Sequence, residues 1–154
     1  MMAGLSEGDA APEIELQDER GEGFRLSALR GRKVVLYFYP RANTPGCTTE
    51  ACEFRDLAAE FAGRNAAIVG VSPDTPAAQM KFKTAKNLPF TLLADVDRRA
   101  AQAYGVWKQK TMYGKTVMGI ERSTFVIGED GRIEKIFAKV KAAGHAARVL
   151  ETVG

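Results

Sequence analysis

The stretch Val34-Val35-Leu36-Tyr37-Phe38-Tyr39-Pro40-Arg41-Ala42-Asn43-Thr44-Pro45-Gly46-Cys47 passes from an unbroken apolar and aromatic run, through a proline, into a Thr-Pro-Gly turn that ends on a thiol. The run Val34 to Tyr39 reads as a central strand covered on both faces, and Pro40, which has no backbone N–H to donate, ends it. Thr44 suits an N-cap and Pro45 a first helical residue, so a helix opens here with Cys47 as its third residue. A strand, a short loop and a helix therefore follow one another directly. The thiol falls at the carboxyl end of a central strand, where open α/β sheets place their sites.

Beyond Cys47 the helix continues, because Cys47, Ala51, Phe54, Leu57, Ala58 and Phe61 share one face at helical spacing. A second buried strand follows at Ala67 to Ser72, then a helix that opens at Thr75-Pro76 with the same cap chemistry. Thr91 to Ala94 is a further strand, and Asp95 or Asp97 can cap a short helix that stops at Gly105. Trp107 to Gly119, which includes Lys108, Met112, Tyr113 and Met118, has no clear period and is expected to be irregular and near the site. Ser123 to Ile127 and Ile133 to Phe137 form a hairpin whose turn, Gly128 to Arg132, carries Asp130-Gly131. The last helix presents Ala142, Ala146, Val149, Leu150 and Val153 on one face. Upstream, Ile14 to Leu16 and Phe24 to Leu26 are short strands around the turn-prone Asp18 to Gly23. This order predicts an α/β thioredoxin-like fold with an N-terminal β-hairpin extension and a central mixed sheet flanked by helices.

A length of 154 residues, 45% hydrophobic and 27% charged, fits one soluble domain spanning 1–154. Met1 to Asp9 has neither a basic region nor an apolar core, and no stretch reaches membrane-spanning length, so a cytoplasmic protein without a membrane segment is expected. The net charge of +3 does not argue for nucleic acid, because basic and acidic residues interleave and Lys81, Lys83 and Lys86 read as a solvated helix face. In a reducing compartment a closely spaced cysteine pair is catalytic, redox-sensing or metal-binding rather than structural. Two cysteines and one histidine, His145, are too few soft ligands for a closed zinc site, so no metal is expected. His145, at a helix start far along the chain, reads as an exposed polar residue.

The chemistry rests on Cys47. A thiol in the first turn of a helix feels the positive end of the dipole, which favours the reactive thiolate near neutral pH. Taken singly, Cys47 would pass for a small buried hydrophobe and Cys52 for an incidental surface cysteine. The Thr-Pro-Gly turn is what favours a reactive thiol. In an intact helix the Cα atoms of Cys47 and Cys52 lie roughly 8 to 9 Å apart and about 140° around the axis, whereas a disulfide tolerates about 7 Å. Either the two thiols never pair, or the first turns unwind when they do.

With Tyr37-Phe38-Tyr39-Pro40, Thr44-Pro45-Gly46-Cys47-Thr48-Thr49-Glu50-Ala51-Cys52, Phe54-Arg55-Asp56, Tyr104-Gly105-Val106, Met112-Tyr113-Gly114-Lys115 and Arg122-Ser123-Thr124-Phe125, the chain resembles the peroxiredoxins, most closely the Q-type branch of bacterioferritin-comigratory proteins. The resemblance implies a peroxidatic Cys47 and a resolving Cys52, with Thr44, Arg122 and Pro40 completing the pocket. Thr44, Gly46 and Arg122 would bind peroxide. It further implies a sulfenic acid on Cys47, an intrachain Cys47–Cys52 disulfide, recycling by thioredoxin or a similar dithiol donor, no cofactor, and a monomer or weak homodimer. Two other readings compete: a general thiol-disulfide oxidoreductase, disfavoured by the missing C-x2-C, and a redox-sensing or holdase binding protein in which the pair is only a switch.

Overall fold

The computed structural model describes residues 5–153 of the chain; Met1 to Gly4 of the N-terminal segment, Gly154 and the side chain of Met112 lie outside the described ones. Three buried strands form the centre: β3 (Lys33–Phe38), β4 (Ala66–Ser72) and β5 (Thr91–Ala94), with β1 (Glu15–Asp18) and β2 (Gly23–Arg25) before them and β6 (Trp107–Met112), β7 (Lys115–Ile120), β8 (Ser123–Ile127) and β9 (Ile133–Phe137) after. The main sheet runs β2-β1-β5-β4-β3-β8-β9, with β3, β4 and β5 parallel and the remaining pairs antiparallel. The expected mixed sheet is present. The helices are α1 (Pro45–Asp56), α2 (Ala58–Gly63), α3 (Pro76–Lys86), α4 (Arg99–Ala103) and α5 (His145–Thr152).

Residues alternate across β3 to feed two apolar layers. Val35, Tyr37 and Tyr39 pack with Phe54, Phe61, Phe82 and Val149 on one face. Val34, Leu36 and Phe38 pack with Val71, Tyr104 and Phe125 on the other. A fully covered β3 explains its uninterrupted apolar sequence. Gly70 on β4 is required by this packing, since a Cβ there would stand 3.0 Å from both Tyr37 and Leu92.

Three local expectations need correction. The helix after Cys47 does not run unbroken through Phe61: Leu57, at φ −103° and ψ 7°, separates α1 from α2. The shared apolar face survives the break because Phe54 and Phe61 both remain buried. Trp107 to Gly119 is not irregular. It forms most of a two-stranded antiparallel ribbon, β6–β7, that stands outside the main sheet. Its register was hidden because β7 is exposed over most of its length and shows no apolar alternation. Tyr113 and Gly114, both at positive φ, make the tight turn that twisted hairpins favour. Finally, Leu26 does not extend β2 but begins a 3-10 turn, Leu26–Leu29.

The cap chemistry at the two Thr-Pro helix starts also differs. The Thr75 hydroxyl accepts from Ala78 N–H at 3.2 Å. The Thr44 hydroxyl instead donates to Arg41 C=O at 2.9 Å, and only the Thr44 carbonyl enters the helix, by accepting from Thr48 N–H at 2.8 Å. Of the two candidate caps for α4, Asp95 is the one used: its carboxylate accepts from Ala100 and Ala101 N–H.

Candidate active site

The loop from Pro40 to Thr44 leaves the carboxyl end of β3, and α1 brings Cys47 back over the sheet. The loop is tied down from below. Ala42 N–H donates to Asp74 at 2.7 Å, Ser72 hydroxyl donates to the same carboxylate oxygen at 2.6 Å, and Gln79 joins Ser72 to Tyr39, whose hydroxyl it accepts at 2.6 Å. Fixing this loop fixes the start of α1. Cys47 is 1% exposed and points to the core side of the helix, while Cys52 is half-buried; both are free thiols.

Arg122 reaches the same place from far along the chain. Antiparallel pairing of β3 with β8 sets Phe38 opposite Ser123, so Arg122, one residue earlier, emerges beside the loop after β3. Its carbonyl is held by Val140 N–H at 3.0 Å. Its guanidinium then spans two acids, with Nη2 donating to Cys47 Sγ at 3.4 Å and Nη1 to Glu50 Oε1 at 2.6 Å. Although burial opposes its charge, Glu50 and Cys47 hold the Arg122 cation above its ordinary range. A Cβ on Gly46 would lie 3.2 Å from Arg122 Nη2, so the glycine is what lets the guanidinium approach.

Of the residues expected in the site, Gly46, Cys47 and Arg122 come together, and Thr44 stands at the helix start beside them. Pro40 shares with Arg122, Lys110, Lys139 and Val140 the wall of a cleft of about 570 Å³. Cys52 lies on the same helix, five residues further on. A larger cavity, about 730 Å³ between the β1–β2 hairpin and the start of α4, contains neither cysteine nor Arg122.

The burial of two polar residues escaped the sequence reading. Glu50 is 0% exposed. It sits one turn after Cys47 and four residues before Phe54, so its place on the core face was readable, and a core-facing acid demands a partner. His145 is the reverse of expectation: it is 1% exposed, hydrogen-bonded to Thr124 hydroxyl at 2.7 Å and packed edge-on to Phe54 and Phe137. Burial, with Arg148 and Arg122 adding to it, lowers His145 to about 4, so the ring is neutral at ordinary pH. No local pattern marks that site, because its walls come from α1, β8 and β9.

A buried thiol at a helix start, with an arginine on its sulfur and an open cleft beside it, is built for nucleophilic thiolate chemistry. Residues 7–136 match the profile of the AhpC/TSA family. The chain belongs to the AhpC/TSA family. It is 51% identical over 146 residues to peroxiredoxin Bcp of Bacillus subtilis, covering 95% of this chain and 93% of the relative. To peroxiredoxin Bcp of Escherichia coli it is 41% identical, covering 95% and 94%. Among solved structures, the peroxiredoxin Q of Xylella fastidiosa, as a cysteine-to-serine mutant, superposes with a TM-score of 0.93 at 37% identity over 99% of this chain and 97% of that one. The bacterioferritin comigratory protein of Xanthomonas campestris, described for its alkyl peroxide reduction activity, gives 0.87 at 41% over 91% and 89%. The thioredoxin-like peroxiredoxin fold and a thiol peroxidase activity follow from these likenesses.

Proposed function

We propose that this AhpC/TSA-family enzyme reduces hydrogen peroxide and organic hydroperoxides through Cys47, with Cys52 as the resolving thiol. The observation that carries the assignment is the 3.4 Å contact from Arg122 Nη2 to Cys47 Sγ at the start of α1. Arg122 donates to the sulfur, and the first-turn N–H groups of Gly46 and Cys47 have no carbonyl four residues back to bond. Those N–H groups hold the peroxide oxygens as negative charge develops on the leaving oxygen, the Thr44 hydroxyl, whose proton goes to Arg41 C=O, accepts from the peroxide O–H, and Pro40 walls the pocket.

Cys47 sulfur attacks one peroxide oxygen, the O–O bond breaks, and the products are a Cys47 sulfenic acid and water or an alcohol. Cys52 sulfur then displaces water from the sulfenic acid to give an intrachain disulfide. Thioredoxin or a similar dithiol returns both thiols. The enzyme acts as one domain over 1–154, in the cytoplasm, as a monomer or weak homodimer, and needs no cofactor.

The test is peroxide consumption by the purified protein with thioredoxin, its reductase and NADPH, using hydrogen peroxide and a panel of alkyl hydroperoxides. Cys47→Ser abolishes turnover; Cys52→Ser completes a single turnover and accumulates sulfenic acid. Persistent thioredoxin-dependent turnover in Cys47→Ser overturns the assignment. Rapid disulfide reduction on a protein substrate, without peroxide consumption, indicates a general oxidoreductase instead.

A further inference from the structure

Glu50 takes no part in the chemistry above, yet it is wholly buried and shares the only guanidinium that touches Cys47 among the described residues. One carboxylate oxygen, Oε1, is paired with Arg122; the other, Oε2, is buried and has no hydrogen-bond partner among the described residues. A carboxylate in that position is poorly solvated. If Glu50 and Cys47 were ionised together, two buried anions would share one cation and leave a net negative charge out of water, which the low dielectric makes costly.

We infer that Glu50 and Cys47 share a single proton across Arg122, with Glu50 becoming a carboxylic acid as Cys47 becomes a thiolate. The inference rests on the peroxidase reading of Cys47. In the exchange the Cys47 S–H bond is lost, a Glu50 O–H bond is formed, and the site keeps one anion against one cation. When the sulfur attacks peroxide, the S–O bond forms, the O–O bond breaks and an alkoxide leaves. The alkoxide takes up a proton, Glu50 gives one up, and the carboxylate returns to Arg122. The sum is thiol plus hydroperoxide giving sulfenic acid plus alcohol, with no change of charge in the buried site.

The neighbouring groups leave this exchange to Glu50 and Cys47. Burial pushes the Glu50 carboxyl up to about 7 against the pull of Arg122, with Glu53 on the same helix adding to the rise. Glu53 is engaged by Gly144 N–H at 2.9 Å. Facing from β3, Tyr37 is buried and held neutral far above its usual range. From α5, His145 is neutral above about 4. Glu50 touches Arg122, so it is a positioning residue that acts on the thiol through the guanidinium. Two acids coupled in this way titrate as a pair.

Glu50→Gln tests it, because the amide keeps an oxygen for Arg122 and removes the charge. The readouts are thiolate absorbance and iodoacetamide alkylation between about pH 5 and 9, in a Cys52→Ser background so that one thiol reports. The parent shows two overlapping steps. The Gln variant shows one, moved to lower pH, with about tenfold more thiolate on the acid side of the midpoint. An unmoved curve, or one moved to higher pH as expected if Glu50 only steers Arg122 onto the sulfur, overturns the inference.

A second measurement does not depend on the Gln variant folding. In Cys47→Ser the competing anion is gone, so the infrared band of the protonated carboxyl is weaker near neutral pH than in the parent. An unchanged band overturns proton sharing. Loss of turnover in Cys47→Ser with an unmoved Glu50→Gln titration keeps the peroxidase and removes only this inference; turnover that survives Cys47→Ser removes the reading beneath it.

Discussion

At the scale of single residues, the site depends on how closely Arg122 approaches Cys47. The Arg122 side chain is 16% exposed, so its two hydrogen bonds act where water screens little. Arg122→Met removes both while keeping apolar volume. Peroxide reduction is expected to fall about 100-fold or more, and alkylation of Cys47 at neutral pH to slow with it; an unchanged rate would show that the cation serves only Glu50. Gly46→Ala is the gentler probe. Its methyl group, 3.2 Å from Nη2, must push the guanidinium aside, and a loss of about tenfold in kcat/KM is expected, equivalent to about 1.4 kcal/mol. The melting temperature is expected to stay near that of the parent, because Gly46 lies at a helix start and not in the core. Cys47 was legible in its local sequence because a helix start is a local feature. Arg122 carried no such mark and was placed by family resemblance, since its position beside Cys47 comes from the register of β8 against β3.

At the scale of elements, α1 holds both cysteines in one continuous helix, where the spacing of Cys47 and Cys52 is too wide for a disulfide. Forming that bond must unwind the turns between them. The structure ties this event to α5: Glu53 accepts from Gly144 N–H, and Phe54 packs edge-on to His145. Oxidation is therefore expected to reduce hydrogen-exchange protection from Cys47 to about Phe54 and at the start of α5, while β3 stays protected. Equal protection of α1 in the dithiol and disulfide forms would contradict this, as would a bond found only between chains. The break at Leu57 assists, because α2 can keep Phe61 buried while α1 loosens. The β6–β7 ribbon shows the other limit of sequence reading. With no buried face along most of β7 there was no alternation to read, and only the Tyr113-Gly114 turn marked it.

At the scale of the molecule, Glu50 and His145 give opposite slopes of stability with pH. The unfolded chain protonates His145 below about 6.5, but the native ring resists down to about 4, so this group lowers stability as the pH falls through that window. Native Glu50 keeps its proton up to about 7 whereas the unfolded carboxyl releases it above 4.5, so its contribution is present in acid and is lost as the pH rises from 4.5 towards 7. His145→Gln leaves only the second slope. Between pH 7 and 5 its stability relative to the parent is expected to rise by on the order of 2 kcal/mol, measured by chemical denaturation at both pH values. Parallel curves for the two proteins would show that His145 is not held neutral. Core packing sets a separate test: Gly70→Ala forces a methyl group against Tyr37 and Leu92 and is expected to cost about 1 to 3 kcal/mol.

The sequence by itself determined the strand, the proline that ends it, the helix start and the thiol upon it, together with the alternation of strands and helices. Each of these depends on neighbours within a turn or a strand length, where backbone sterics and capping act. Tertiary structure alone decided that Arg122 meets Cys47, that Glu50 claims the same guanidinium, that His145 is buried under Phe54 and Phe137, and that Trp107 to Ile120 pairs as a ribbon. Those outcomes depend on strand register and on side chains arriving from distant elements, and a buried charge or ring is defined by walls that the local sequence does not contain.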